Sequence, residues 1–344
     1  MRVLHLLKSD KFSGAENVVL TIMNLFPEEE MIYASPDGPI RKVVEEAGHR
    51  FYALESSKIG SVKKAIAELK PDVIHAHDFS MATNAAWAAD KTPVIAHLHN
   101  NPPWLGKIHP KSVMFALALP RIQQVISVSE SVQKEYLFGW LMNGKNTVLG
   151  NFVDVERVRR MAQEPCPCGD VDLVFLGRLS APKQPLLFCE IVKQVKEKIP
   201  GVTARMIGDG ELAGEVRNYL NENGLQDTIE LVGFQSNPYT YLKGGKIMVM
   251  PSAWEGFGLA AVEALSLGLP VLCSGVGGLK NIVNESCGGI CSEKSQYEES
   301  IFKLLNGEVD WDQIKKNCCV RANVFSDKQS YKENLKKVYS GALT

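Results

Sequence analysis

The chain has 344 residues, 45% hydrophobic and 22% charged, with a formal net charge of −1. That length suits two domains better than one core, and the composition excludes disordered and fibrous classes. Near-neutral charge leaves no broad basic footprint for nucleic acid.

The first residues, MRVLHLLKSDK, read as a strand over Val3–Leu7 with charged edges, too short for a secretory signal. Helical spacing follows over Glu16–Leu25, then a strand at Met31–Ala34 and helices at Ile40–Ala47 and Val62–Leu69. Strands are expected at Asp72–Ala76, Val94–Leu98 and Gln124–Val128, with a helix at Met81–Ala89 and another after Ser129 as its cap. Short apolar strands between amphipathic helices predict a parallel sheet covered on both faces. The proline-rich segment AQEPCPCG, Ala162–Gly169, interrupts this rhythm and reads as a linker.

A second cycle then begins. Strands are expected at Asp172–Leu176, Thr203–Ile207, Ile229–Leu231, Ile247–Met250, Val271–Cys273 and Gly289–Cys291. Helices are expected at Pro185–Lys198, Glu211–Glu222, Gly258–Leu267, Gln296–Leu305 and Trp311–Asn323, with a short turn of helix at Pro238–Leu242. The fold class is therefore α/β: two Rossmann-like, doubly wound domains in series, spanning 1–165 and 166–326 and expected to face a cleft. Residues 327–344 add a helix that could pack back on the first domain.

The segment SAWEGFGLAAVEALSLGLP, Ser252–Pro270, is the most informative. A glycine turn, Gly256–Phe257–Gly258, leads from a strand end into a helix beginning near Leu259. A helix N-terminus offers unpaired N–H groups and a positive dipole end, which suits phosphate. Glu255 precedes the turn, and Glu263 lies inside an otherwise apolar helix, where a carboxylate needs donors such as ligand hydroxyls. LGRLSAPK places Arg178 and Lys183 after a strand, two cations able to neutralise a diphosphate without a metal. Gly208–Asp209–Gly210 and the loop around Phe234 also follow strands; a ligand loop and an ordinary turn both fit the first of these. The three-glycine dinucleotide fingerprint is absent at the start of both halves, which disfavours a nicotinamide dehydrogenase.

His75 and His77 share one face of a strand end, and His97 and His99 share one face of the next. Their neighbours supply no good metal set, and the eight cysteines lack zinc spacing, so no metal site is expected and the thiols fit a reduced cytoplasmic protein. His99 lies closest to the loop HNNPPW and is the preferred cleft-lining imidazole; packing roles remain open for His75 and His97. Between Lys91 and Ser129 stand four cations and no acid, beside Trp104, Leu105, Ile108, Met114, Phe115 and Leu117. This pattern fits both a helix lying on anionic lipid and a core helix with wet ends.

These motifs resemble the retaining glycosyltransferases of family 4, which have the GT-B fold. EGFGLAAVE followed by Ala264, Gly268, Pro270 and Val271 is similar to the family's paired glutamates, and LGRLSAPK to its basic phosphate loop. SGAE resembles its first glycine loop and gives Gly14 a role; HLHN resembles the segment supplying an active-site histidine, His99. SVSE at Ser127–Glu130 and NFVD at Asn151–Asp154 also fit. Two positions depart from the family pattern: Gln184 stands where glycine is frequent, and Asn281 where an acid often follows the glycine pair.

The resemblance implies a UDP-sugar or GDP-sugar co-substrate held mainly by the C-terminal domain, no other cofactor, and a saccharide or lipid-linked saccharide acceptor held mainly by the N-terminal domain. Arg178, Lys183, Glu255 and His99 would serve the chemistry. Gly14, Gly208, Gly210, Phe234, Gly256, Phe257, Gly258, Leu259 and Glu263 would hold the donor. Cell-surface polysaccharide synthesis at the cytoplasmic side of a membrane would follow, with an anionic surface as a further partner. A non-catalytic nucleotide-sugar or glycan binder, a nucleotide-sugar epimerase and a glycogen-type polymerase are the alternatives.

Overall fold

A computed structural model describes residues 1–343 apart from Phe12, Pro167 and Glu308. Phe12, beside the first glycine loop, and Pro167, in the expected linker, thus lie outside the described residues. The chain divides into two compact units, Met1–Phe152 with Asp327–Thr344, and Val153–Ser326.

The first unit alternates strand and helix. Its elements are β1 (Arg2–Leu6), α1 (Gly14–Leu25), β2 (Glu30–Pro36), α2 (Ile40–Glu46), β3 (Arg50–Leu54), α3 (Ile59–Leu69) and β4 (Val73–His77). They continue as α4 (Phe79–Ala88), β5 (Val94–Leu98), α5 (Pro110–Ala118), β6 (Gln124–Ser127), α6 (Glu130–Glu135) and β7 (Asn146–Val148). The seven strands form one parallel sheet in the order β3-β2-β1-β4-β5-β6-β7. β4 and β5 are buried along their whole length, as strands covered on both faces must be. Ser129 precedes α6, but its hydroxyl bonds Ser131 at 2.7 Å instead of capping the helix backbone.

The second unit begins with α7 (Val155–Met161) and continues through β8 (Val171–Leu176), α8 (Pro185–Lys198), β9 (Ala204–Ile207), α9 (Ala213–Glu222) and β10 (Ile229–Gly233). α10 (Tyr239–Lys243), β11 (Gly245–Met250), α11 (Leu259–Ser266), β12 (Val271–Cys273), α12 (Leu279–Ile282) and β13 (Gly288–Ile290) follow. α13 (Lys294–Leu305) and α14 (Trp311–Asn323) complete the unit. Its parallel sheet runs β10-β9-β8-β11-β12-β13. Leu173, Phe175, Phe188, Val192, Met206, Ile247 and Val249 form the centre of its core.

The last helix, α15 (Lys328–Leu343), returns to the first unit and packs on β4, β5 and β6. Tyr339 is one of its buried anchors, meeting Phe26 edge-on at 5.7 Å and bonding His75 at 2.9 Å. Both sheets thus reverse their winding direction once, between β1 and β4 in one unit and between β8 and β11 in the other. In open parallel sheets that reversal leaves a crevice beyond the C-terminal strand ends, where ligands bind.

Candidate active site

In the second unit, the loops at the strand reversal are tied together by their backbones. The Gly177 N–H donates to Ile207 at 3.0 Å, Leu179 to Asp209 at 3.0 Å, and Gly208 to Gly233 at 2.9 Å. Across the reversal, Ala253 donates to the Pro182 carbonyl at 2.8 Å, and Gly278 donates to that of Gly256 at 2.8 Å. These bonds join the loops after β8, β9, β10, β11 and β12 into one surface.

Gly208 and Gly258 are demanded by this closeness. Gly208 has φ +134, and a Cβ there would collide with the Gly177 carbonyl. Gly258 has φ +106 as the residue before α11, and a Cβ there would lie 2.6 Å from Leu279 Cδ2. The turn therefore brings the α11 N-terminus, with its unpaired N–H groups, to the same surface.

Lys183 Nζ forms an ion pair with Glu255 Oε2, joining the loops after β8 and β11. The two side chains keep 25% and 13% of their exposure, so the pair is sheltered but reachable. The Arg178 side chain is exposed and makes no hydrogen bond or ion pair among the described residues. Phe234, after β10, is 67% exposed, whereas Phe257 is buried and packs edge-on against Phe325 at 5.7 Å. The structure thus brings Arg178, Lys183, Gly208, Gly210, Phe234, Glu255, Gly256, Gly258 and Leu259 to one end of one sheet.

Glu263 sits one helical turn further on. Its Oε1 accepts from the Tyr239 hydroxyl at 3.0 Å. Burial pushes its carboxyl above the usual range, opposed by the Tyr239 bond and the Arg157 charge. Burial also raises the Tyr239 phenol, with the Glu263 charge adding to it. Tyr239 and Arg157 are the partners that sequence reading missed. Tyr239 sits in the expected Pro238–Leu242 turn, but nothing local marks it as facing a helix twenty-four residues on.

In the first unit, Gly14 opens α1, and Ser13 before it bonds the Glu16 carboxylate. His99 follows β5 at the sheet's C-terminal edge. Its Nε2 lies 2.9 Å from His77 Nδ1, while its Nδ1 is buried with no hydrogen-bond partner among the described residues. Burial pulls the His99 imidazole down to about 3 and the His5 imidazole to about 3. His75, His77 and His97 are also held well below their usual value, chiefly by burial and then by one another.

His5 was not singled out in the sequence, although it joins this layer. The nitrogens of His5, His75 and His77, and those of His77, His97 and His99, approach within 4.8 Å of one another. The rings are mostly stacked, His75 on His97 at 13° and His77 on His99 at 19°.

Residues 159–318 match the family model described as Glycosyl transferases group 1, and residues 12–157 match Glycosyltransferase Family 4. Each covers just under half of the chain, and together they cover most of it. The two halves of the chain thus match two glycosyltransferase family models, on an architecture consistent with the GT-B fold.

Among known proteins, it is 24% identical over 364 residues to the UDP-Gal:alpha-D-GlcNAc-diphosphoundecaprenol alpha-1,3-galactosyltransferase of Escherichia coli, covering 92% of this chain and 91% of that one. It is 26% identical over 232 residues to an uncharacterized glycosyltransferase of Methanocaldococcus jannaschii; the match spans 61% of this chain and 57% of that protein. Anabaena Alr3699/HepE, solved with UDP and glucose, shares the fold with a TM-score of 0.85 at 19% identity, over 99% of both chains.

Proposed function

We propose that this protein is a retaining, metal-independent hexosyl- or N-acetylhexosaminyl-transferase of family 4. It moves a sugar from a nucleoside-diphosphate donor to a saccharide or lipid-linked saccharide in cell-surface polysaccharide synthesis. The observation that carries this reading is the junction in the second unit where Lys183, Glu255 and the α11 N-terminus meet at the strand reversal.

Arg178, Lys183 and the N–H groups of Gly258 and Leu259 hold the diphosphate. They stabilise the charge that grows on the leaving oxygen, so their effect is largest in the transition state. Glu263 accepts from the ribose hydroxyls, and the nucleobase lies by Gly208–Gly210 and Phe234. Glu255 binds hydroxyls of the transferred sugar. His99 and the Gly14 loop contribute sugar and acceptor contacts from the first unit.

Same-face displacement is the course that the resemblance to the retaining family leads us to expect. The anomeric carbon–phosphate bond breaks as the acceptor oxygen bonds that carbon, and the acceptor's proton passes to the departing phosphate. UDP is favoured over GDP because the Escherichia coli relative is named for UDP-Gal and the Anabaena structure holds UDP. Cytoplasmic action at an anionic membrane face belongs to the same reading; no helix among the described residues is long and apolar enough to cross a membrane.

The test is incubation with a panel of UDP- and GDP-sugars, with and without saccharide and lipid-linked acceptors. Acceptor-dependent release of nucleoside diphosphate, with the donor's anomeric configuration kept in the product, is the expected result. Activity should survive exhaustive chelation; a loss restored only by manganese or magnesium would overturn metal independence. Donor bound but recovered intact would leave a binding protein, and donor recovered as an epimer would leave an epimerase.

A further inference from the structure

Five imidazoles share one face of the first unit's sheet. His5 on β1 pairs in register with His75 on β4, and His77 pairs with His97 on β5. His99 lies two residues beyond His97 and so falls on the same face. Three of the five form a continuous chain of ring nitrogens that starts at a methionine.

His5 Nε2 lies 3.3 Å from Met31 Sδ. A thioether has no hydrogen and can only accept. The His5 proton therefore sits on Nε2, and its Nδ1 is bare. That Nδ1 lies 3.0 Å from His77 Nε2, which must donate. A neutral His77 then has a bare Nδ1, and it accepts from His99 Nε2 at 2.9 Å. His99 has one proton to place and has placed it inward. Its Nδ1, buried and without a partner among the described residues, is left as a lone pair. Any other assignment sets two lone pairs or two N–H groups against each other at one of these three contacts.

We infer that Met31, acting through His5 and His77, fixes His99 in the Nε2–H tautomer, so that its Nδ1 meets a ligand only as a hydrogen-bond acceptor. Burial keeps every ring of the chain neutral, which preserves the alternation of donor and acceptor. Met31, His5 and His77 are positioning residues, since none is read as touching the donor or acceptor.

The functional consequence rests on the reading of His99 as a sugar contact. A bare nitrogen selects a hydroxyl that can donate and cannot supply a proton to a leaving group. His99 then orients the transferred sugar and does not serve as a general acid.

Histidine-selective ¹⁵N labelling of the full chain, with two-bond ¹H–¹⁵N correlation, reads each tautomer directly. His5, His77 and His99 should all show protonated Nε2 and unprotonated Nδ1 near neutral pH. A proton on Nδ1 of His99, or an averaged pair of nitrogens there, would overturn the inference in the wild-type protein alone. Met31→Leu keeps the volume and removes the acceptor. The two nitrogens of all three rings should then move together towards averaged shifts; a change confined to His5 would refute the relay. Should that variant fail to fold, His5→Phe tests the same coupling at His77 and His99. Titration with UDP-glucose, but not UDP, should shift His99 Nδ1. A fixed tautomer with no such shift would remove the sugar contact while leaving the relay intact.

Discussion

Glu255 and Glu263 carry the same charge and meet opposite surroundings. Glu255 is already neutralised by Lys183, whereas Glu263 meets, among the described residues, a phenol and the more distant Arg157. Lys183→Ala should cost roughly 2–4 kcal/mol in kcat/KM, the scale of losing one donor to a developing oxyanion. It should leave the fold intact. Wild-type kcat/KM in K183A at saturating acceptor would take Lys183 out of the site.

Glu263→Gln keeps the oxygen that accepts from Tyr239 and removes a charge that burial opposes. Its Tm near neutral pH should hold or rise, while affinity for UDP and for UDP-sugar falls together. Glu255→Gln should spare UDP binding and lower kcat and kcat/KM in parallel, as a contact made mainly in the transition state does. Calorimetric titration of both variants with UDP, beside steady-state rates, decides between these roles; the reverse pattern would exchange them. At this scale, residues on glycine-bounded loops could be singled out as candidates because their chemistry is local to the motif. Tyr239, Arg157 and His5 were not, since each acquires its role from an element remote in sequence.

Elements with uninterrupted apolar cores could be read from sequence, and the two edge strands of the first unit could not. β5, α8, β12 and α14 have the expected bounds. β3, RFYAL, is an edge strand whose arginine and two partly exposed aromatics hide its pattern, and β7, NTV, is a three-residue edge. α5 answers to both readings of its apolar stretch. Phe115 and the preceding Leu105 are core, whereas Ile108 is 86% and Leu117 58% exposed beside exposed Lys107 and Lys111. Arg121 instead stacks on Trp87 at 4.3 Å. Vesicles containing anionic lipid should therefore bind the protein in a salt-sensitive way, and reversing Lys107 and Lys111 to Glu should weaken that binding without unfolding α5. Equal partitioning onto neutral vesicles, or none onto either kind, would leave α5 as a helix with wet ends.

The imidazole layer on β1, β4 and β5 makes its own prediction. These histidines stay neutral in the fold but protonate in the unfolded chain below about pH 6.5. The unfolded state then binds more protons, so stability falls as pH drops from there towards about 3, where His5 and His99 titrate in the fold. Each such ring steepens the slope by up to about 1.4 kcal/mol per pH unit. Urea unfolding across this range should show stability dropping on acidification, with a shallower slope in His75→Phe. A flat profile would mean that the rings protonate while folded.

For the molecule as a whole, alternation of short apolar strands with amphipathic helices was enough to predict two parallel-sheet units. Strand order was not written in any local pattern; it follows from right-handed crossovers and from the hydrophobic cover each strand needs. The same holds for the site, since loops far apart in sequence converge only because β8 and β11 are neighbours.

The return of α15 to the first unit also sets an order of events at the ribosome. Met1–Phe152 emerges ahead of α15, so its sheet lacks the helix that covers β4, β5 and β6 until α15 has left the exit tunnel. Val153–Ser326 is contiguous and can complete its core meanwhile. Until Tyr339 arrives, His75 lacks its phenol partner and the imidazoles behind it stay open to water and protons. Docking of α15 is thus the step that dries this layer. A chain ended at Ser326 should keep native hydrogen-exchange protection in β8, β9 and β11 and lose it in β4, β5 and β6. Full protection of those three strands in the shortened chain would show that the nascent unit closes without its final helix.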